Sequence, residues 1–275
     1  MSAAPVRERT GTGDRADTVR FVDVVRSEWI KLARQRSTFW SLLSAMVLII
    51  GLGAVFALAY GAFYDTSDEA ERAAFDPTTI SLSGVWFGQL AIGVLGVLMI
   101  TSEYASGSIR SSLAAVPRRA RLLAAKAVVF GGVTLVLGEV ATFAAFFVGQ
   151  PLLAREAPHA EIGDPHVLRA IVGSGLYLAV LGLFCLAVGT VLRHTAGSIA
   201  TVVAVVFVVP TITGSLPGVW QRTVSRWMPT NAGSALWEVV PLPHQLAPWA
   251  GFAVFVGYTL AVGALGVALF LRRDA

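Results

Sequence analysis

Six apolar runs, each long enough to cross a bilayer, decide what this chain can fold into. They occupy positions 39–60, 80–100, 127–149, 168–192, 197–216 and 250–271. The hydrocarbon layer is ~30 Å thick, so about 20 apolar helical residues cross it. Inside lipid every backbone polar group must be satisfied internally, which a helix does within a single segment. The pattern predicts an all-α polytopic membrane protein with six transmembrane helices. The chain is 55% hydrophobic and only 14% charged, where a soluble domain carries roughly 25% charged residues. The net charge of +4 is not a nucleic-acid footprint, because the basic residues sit at the ends of the runs. They act there as orientation signals.

Counting those signals sets the topology. Thirteen Lys and Arg fall in 20–36, in 101–126, at Arg193 and at Arg272-Arg273. Five (Arg72, Arg155, Arg169, Arg222 and Arg226) fall in the alternate segments. The bias predicts a multi-pass cell-membrane protein with both termini cytoplasmic. No cleavable signal peptide is expected, since the first apolar run is of spanning length. Positions 1–19 are polar and rich in Gly, Thr, Arg and Asp, and read as a disordered cytoplasmic tail. Positions 20–38 read as an amphipathic interface helix, with Glu28, Trp29, Lys31, Arg34 and Arg36 at headgroup depth. That helix serves as a positive-inside anchor, as a contact for a partner protein, or as both. The spans then occupy 39–275.

The polar stretch 101–126 is more than a connector. Ile109, Leu113 and Val116 recur at i, i+4, i+7 on one helical face. Glu103, Ser106 and Arg110 take another face, and Pro117 ends the segment. An apolar stripe with no lipid to bury it points to a docking surface for a partner. Ser-Glu-Tyr-x-x-Gly-x-Ile-Arg-x-x-Leu-x-Ala-x-Pro-Arg-Arg, running from Ser102 to Arg119, resembles the first cytoplasmic loop of known transporters. These are permease subunits of the type-2 ATP-binding cassette (ABC) family, actinobacterial type. Ser27-Glu28-Trp29-Ile30-Lys31-Leu32 and Arg36-Ser37-Thr38 extend the resemblance.

The resemblance implies an exporter subunit whose ATPase is a separate polypeptide. It implies a cytoplasmic coupling helix across 103–116, with Glu103, Tyr104, Gly107, Ile109, Arg110, Leu113 and Val116 meeting that ATPase. ATP and Mg are then expected in the partner subunit, with no cofactor or metal bound by this chain. The chain is not expected to be an enzyme by itself. A second permease copy, identical or not, is expected because six spans are few to enclose a path.

The segment 219–248 carries Trp220, Trp227 and Trp237, with Trp249 at its edge, broken by Pro229, Pro241, Pro243 and Pro248. Trp is enriched at membrane interfaces, so short helices in the outer headgroup layer, partly re-entrant, are expected. Three polar residues inside the apolar runs, Gln89, Glu139 and Thr211, are candidates for a transport path. Glu139 reads first as a structural residue hydrogen-bonded to a neighbouring span such as the one carrying Gln89, and second as a polar site on the path.

No Gly-x-x-x-x-Gly-Lys-Ser/Thr occurs, so this chain does not cradle ATP phosphates. Gly173-Ser174-Gly175 reads as small-residue packing, since no His lies at membrane depth to activate the serine. His159 and His166 lie in an acidic loop without tight ligand spacing. Cys185 reads as a packing residue.

The expected function is an ATP-driven ABC exporter permease for a hydrophobic or amphipathic substrate of the drug or lipid class. The alternatives are an ion- or proton-coupled secondary transporter, for which Glu139 speaks, and a non-transporting membrane scaffold for a partner protein.

Overall fold

The computed structural model describes residues 20–116, 118–215, 218–219, 223–240 and 244–272. The expected disordered tail 1–19, the terminator Pro117, and Trp220, Arg222, Pro241, Pro243 and Arg273 lie outside them. The described residues are helical, with no strand among them. Six helical stretches are long and apolar enough to cross a membrane. The all-α polytopic architecture is therefore as the apolar runs predicted.

In chain order, α1 (Phe21–Arg34) is amphipathic and stops at Gln35, whose extended backbone is a one-residue break before α2 (Arg36–Phe63). The expected interface helix is thus shorter than 20–38, because Arg36 to Thr38 already belong to the first span. After the small α3 (Glu69–Ala73), the second span has two pieces, α4 (Pro77–Leu82) and α5 (Val85–Ala105). A short α6 (Ile109–Ala115) follows. The third span, α7 (Arg119–Leu153), has 35 residues and a length of about 52 Å at 1.5 Å per residue. It overshoots the ~30 Å hydrocarbon layer, and its first two turns consist of the basic 119–126 segment. The fourth span is α8 (Val167–Leu192). The fifth is α9 (Thr195–Val203), a π-helical turn Ala204–Val208, and α10 (Val209–Ser215). The short α11 (Pro229–Ser234) precedes the last span, α12 (Pro248–Arg272).

The central helix is α8, against which α7, α5 and α12 all pack, while α2 covers α7 and α5. In the membrane there is no hydrophobic gain between helices, so close packing must hold them together. Glycines provide it. A methyl group at Gly84 or Gly88 would collide with Ile49 of α2, and one at Gly138 would press on Gly175 of α8. Gly173 and Gly175 do serve as packing residues, against Leu236 and Glu139 respectively. Ser174 is fully buried and donates to the Ala170 carbonyl of its own helix at 2.9 Å.

The outer segment is not a headgroup-layer element throughout. Thr230, Ala232, Gly233 and Ser234 of α11 are buried, and so is Trp237, at 3% exposure. Trp237 lies between Trp86, which it meets edge-to-face with ring centroids 5.4 Å apart, and Tyr177, at 5.1 Å and tilted. Trp227 and Trp249 remain exposed. The segment folds back into the bundle and caps one end of it. Its anchors are backbone groups. Asp76 Oδ2 accepts from Val239 N at 3.1 Å and Val240 N at 3.2 Å, and Arg169 donates to the Leu236 carbonyl at 2.7 Å and the Glu238 carbonyl at 3.0 Å.

Pro210 explains the π turn below this cap. Proline has no N–H to bond the carbonyl four residues back and its ring crowds that carbonyl. The carbonyl is that of Val206, and buried Thr230 of α11 donates to it at 3.4 Å.

Candidate functional site

The polar stretch and the amphipathic helix, far apart in sequence, meet in one place. Glu28 lies on the inward face of α1 with Val24 and Leu32. Its carboxylate accepts from Lys31 Nζ at 2.6 Å and from Lys126 Nζ at 2.7 Å. Lys126, in the second turn of α7, also donates to Glu103 Oε1 at 2.6 Å. Lys31 completes the ring with Glu103 at 3.3 Å and reaches Ser112 Oγ of α6 at 3.1 Å. Glu28 and Lys126 are each 1% exposed. Two acids and two bases thus clamp α1, the end of α5, the start of α7 and α6 together.

The chemistry of the cluster follows from its burial. Charges taken out of water need both counter-charges and hydrogen bonds to survive. Burial lowers the proton affinity of Lys31, but the Glu28 and Glu103 carboxylates outweigh it and hold the ammonium above its usual range. A cleft of about 380 Å³ opens beside the cluster, lined by Gln35, Ser102, Ser106 and Ser108 among others.

The expected coupling residues divide between two elements. Glu103 and Tyr104 belong to the last turn of α5, not to the short helix. Gly107 turns the chain with φ +72°, a left-handed backbone that side chains other than glycine rarely adopt. Ile109, Arg110 and Leu113 are in α6, and Val116 is its C-cap. The apolar stripe points inward. Ile109 is 3% exposed, and Leu113 and Val116 pack beside it against Val24, Leu122 and Ile100. What α6 presents outward is Arg110, Ser111, Ala114 and Ala115. The loop alone has no apolar cover for this stripe; α1 and the extension of α7 supply the wall.

On α1, Trp29 and Arg34 are exposed, and so is Arg36 at the start of α2. Tyr104 faces Arg193, whose guanidinium carbon lies 5.0 Å from the ring centroid. Arg193 sits in the turn joining α8 to α9, and also reaches the Leu269 carbonyl of α12 at 3.4 Å. The C-terminal ends of spans two, four and six therefore converge beside the charge cluster.

The three path candidates are not brought together. Gln89 is 1% exposed and accepts from Tyr177 Oη at 2.6 Å while donating to the Trp86 carbonyl of its own helix. Its partner is α8, not Glu139. Glu139 is half-buried on α7, its carboxyl fitted into the space left by Gly175, and its Oε2 has no hydrogen-bond partner. Thr211 is exposed on α10 and donates to the Phe207 carbonyl at 2.6 Å.

Sequence reasoning missed Lys126 as a site residue, counting it only as an orientation charge. The available signal was its place next to an apolar run, where a cation needs an acid nearby. Tyr177, Asp76 and Arg169 carried no local signal, since each acts through a distant segment.

The sequence matches the family described as ABC-2 family transporter protein over residues 24–212. The match starts inside α1 and ends inside α10, so it contains the whole charge cluster and α6. No curated protein matches the chain.

Proposed function

Because the chain belongs to the ABC-2 family of transporter proteins, we propose that it is the membrane permease of an ATP-driven exporter. The permease is of the actinobacterial type that its 102–119 motif resembles. A separate ATPase subunit binds ATP and Mg and hydrolyses the ATP, and this chain supplies the path. The observation that carries the reading is α6, a short helix outside the apolar spans, tied through Ser112 to the ion cluster that joins α1, α5 and α7. Force applied to Arg110 or Ala114 passes through Lys31 and Glu28 to α1, and through Glu103 and Lys126 to α5 and α7.

A second permease copy completes the path. The fifth span is little buried within the protomer. It exposes Thr201, Thr211 and Ser215, whose hydroxyls are satisfied by their own helix. Such a face, apolar with self-paired hydroxyls, suits a hydrophobic or amphipathic cargo of the drug or lipid class. Both termini are cytoplasmic in the cell membrane, in keeping with the thirteen-to-five split of basic residues.

The test is co-purification with the ATPase. The chain alone is expected to bind no ATP. Arg110→Glu and Ala114→Trp, both on the outward face of α6, are expected to weaken the complex at least tenfold without affecting insertion. A complex unaffected by both places the ATPase elsewhere, and the absence of any co-purifying ATPase removes the exporter reading.

One observation favours a second reading, coupling to a proton or cation. It is the unpartnered Glu139 Oε2 on α7. Export that requires ATP but not a pH or ion gradient excludes it.

A further inference from the structure

The face of α1 turned away from the charge cluster opens on a groove. Arg26 and Trp29 stand at its mouth, and α2 and α7 form its walls, enclosing about 950 Å³. Beyond the mouth the lining is apolar, with Met46 on one side and the α7 surface from Val128 to Val140 on the other. Those thirteen residues of helix span about 18 Å, close to the ~15 Å hydrocarbon depth of one leaflet. Gly132, midway along, widens the groove, since a methyl group there would meet nothing within 4 Å.

Charge sits at one end only. Arg26 is exposed and makes no ion pair among the described residues. Glu28 and Lys31 are committed to the cluster, so the remaining exposed charges of α1 and its N-cap are Arg20, Arg26 and Arg34 against Asp23. A trough of one acyl chain's length with an indole and an unpaired cation at headgroup depth matches an amphiphile with a negative head.

We infer that this groove holds an anionic phospholipid as a resident ligand. Its phosphate lies at Arg26 and Trp29, and an acyl chain runs along α7 toward Val140. The lipid bridges α1 to the first and third spans on the side opposite the ion cluster, so α1 is seated between two anchors. This does not rest on the exporter reading and is separate from any cargo.

The full chain, reconstituted in nanodiscs of equal phosphatidylglycerol and phosphatidylcholine, tests it with one lipid at a time carrying brominated acyl chains. The Trp29 emission is taken as the difference between the chain and its Trp29→Phe variant. Brominated phosphatidylglycerol is expected to quench that emission at several-fold lower mole fraction than brominated phosphatidylcholine. Arg26→Gln is expected to reduce this preference about fivefold, the value of about 1 kcal/mol for one basic residue at an anionic surface. Gly132→Leu, placed in open space, is expected to lower quenching by both lipids. Equal quenching by the two lipids, an unchanged preference in Arg26→Gln, or unchanged quenching in Gly132→Leu overturns the inference. So does the absence of quenching by either lipid, which is what a second copy covering the groove produces.

Discussion

Lys126, in the second turn of α7, reaches Glu28 of α1 at 2.7 Å across 98 residues of sequence, and neither side chain is more than 1% exposed. An ion pair this deep is not in itself a source of net stability, because desolvating both charges offsets much of their attraction. Its effect is specificity. It fixes where α1 lies on the bundle, and through Glu103 and Ser112 it fixes α6 as well.

Removing one member should therefore cost more than removing a matched pair. Lys126→Met leaves Glu28 and Glu103 with only the half-exposed Lys31 between them, at an expected loss of roughly 3–5 kcal/mol. Combining it with Glu28→Gln should cost clearly less than the sum of the two single changes. Thermal unfolding of the four variants in detergent measures the coupling. Additive losses would show that the cluster does not act as a unit.

Gly107 makes the turn between α5 and α6 in the left-handed region. Gly107→Ala is expected to cost about 1–2 kcal/mol, and Gly107→Asn less, since asparagine tolerates that conformation. Open space around the position means the strain is all in the backbone. In the assembled transporter, Gly107→Ala should reduce transport per ATP hydrolysed while insertion stays normal. An alanine variant with parental coupling would remove the turn from the mechanism.

Glu139→Gln keeps the shape of the side chain against Gly175 and removes its charge. With its coupling energy taken from ATP, the permease should assemble and transport within about twofold of the parent. Glu139→Leu should lose stability by roughly 1 kcal/mol or more, as the carboxyl's packing against Gly175 is replaced by a bulkier branched group. Abolished export in Glu139→Gln, with ATP hydrolysis intact, would place the carboxyl on the transport path.

The cap formed by residues 229–240 should loosen as pH rises. Glu238 is 8% exposed, and burial pushes its carboxyl up to about 7, against the pull of hydrogen bonds from Gln245 and Ser234. Asp76 adds to the rise and Arg169 opposes it. A carboxyl whose folded pKa is raised contributes stability below its unfolded value, near 4.5, and loses it as pH climbs through about 7. Stability should fall by on the order of 1–3 kcal/mol across that window, and Glu238→Gln should flatten the curve. Hydrogen exchange of residues 229–240 at pH 5 and pH 7.5 reads it directly.

The spans were legible because twenty apolar residues in a row have few alternatives to a transmembrane helix, and the basic residues marked their ends. Which residues meet was not legible. The stripe of Ile109, Leu113 and Val116 has the right period for a helix, but period does not say which wall it faces. That wall comes from α1 and from two turns of α7 that read as loop, because their basic residues masked a continuous helix. Trp237 read as an interface residue by type, yet it lies between Trp86 and Tyr177, the first of them more than half the chain away in sequence. The π turn has a local cause in Pro210, but its stabilising donor, Thr230, lies beyond the next turn of the chain.

The order of the four cluster residues along the chain also sets an order of assembly. Glu28 and Lys31 leave the ribosome first and can pair at once, three residues apart on α1. The residue that seats them, Lys126, is made 98 residues later. At about 5–20 residues per second, that interval is roughly 5–20 s. Throughout it α1 has no final berth and must wait at the membrane surface, held by its amphipathic face alone. Docking of the first helix is thus a late event in biogenesis, timed by the entry of the third span.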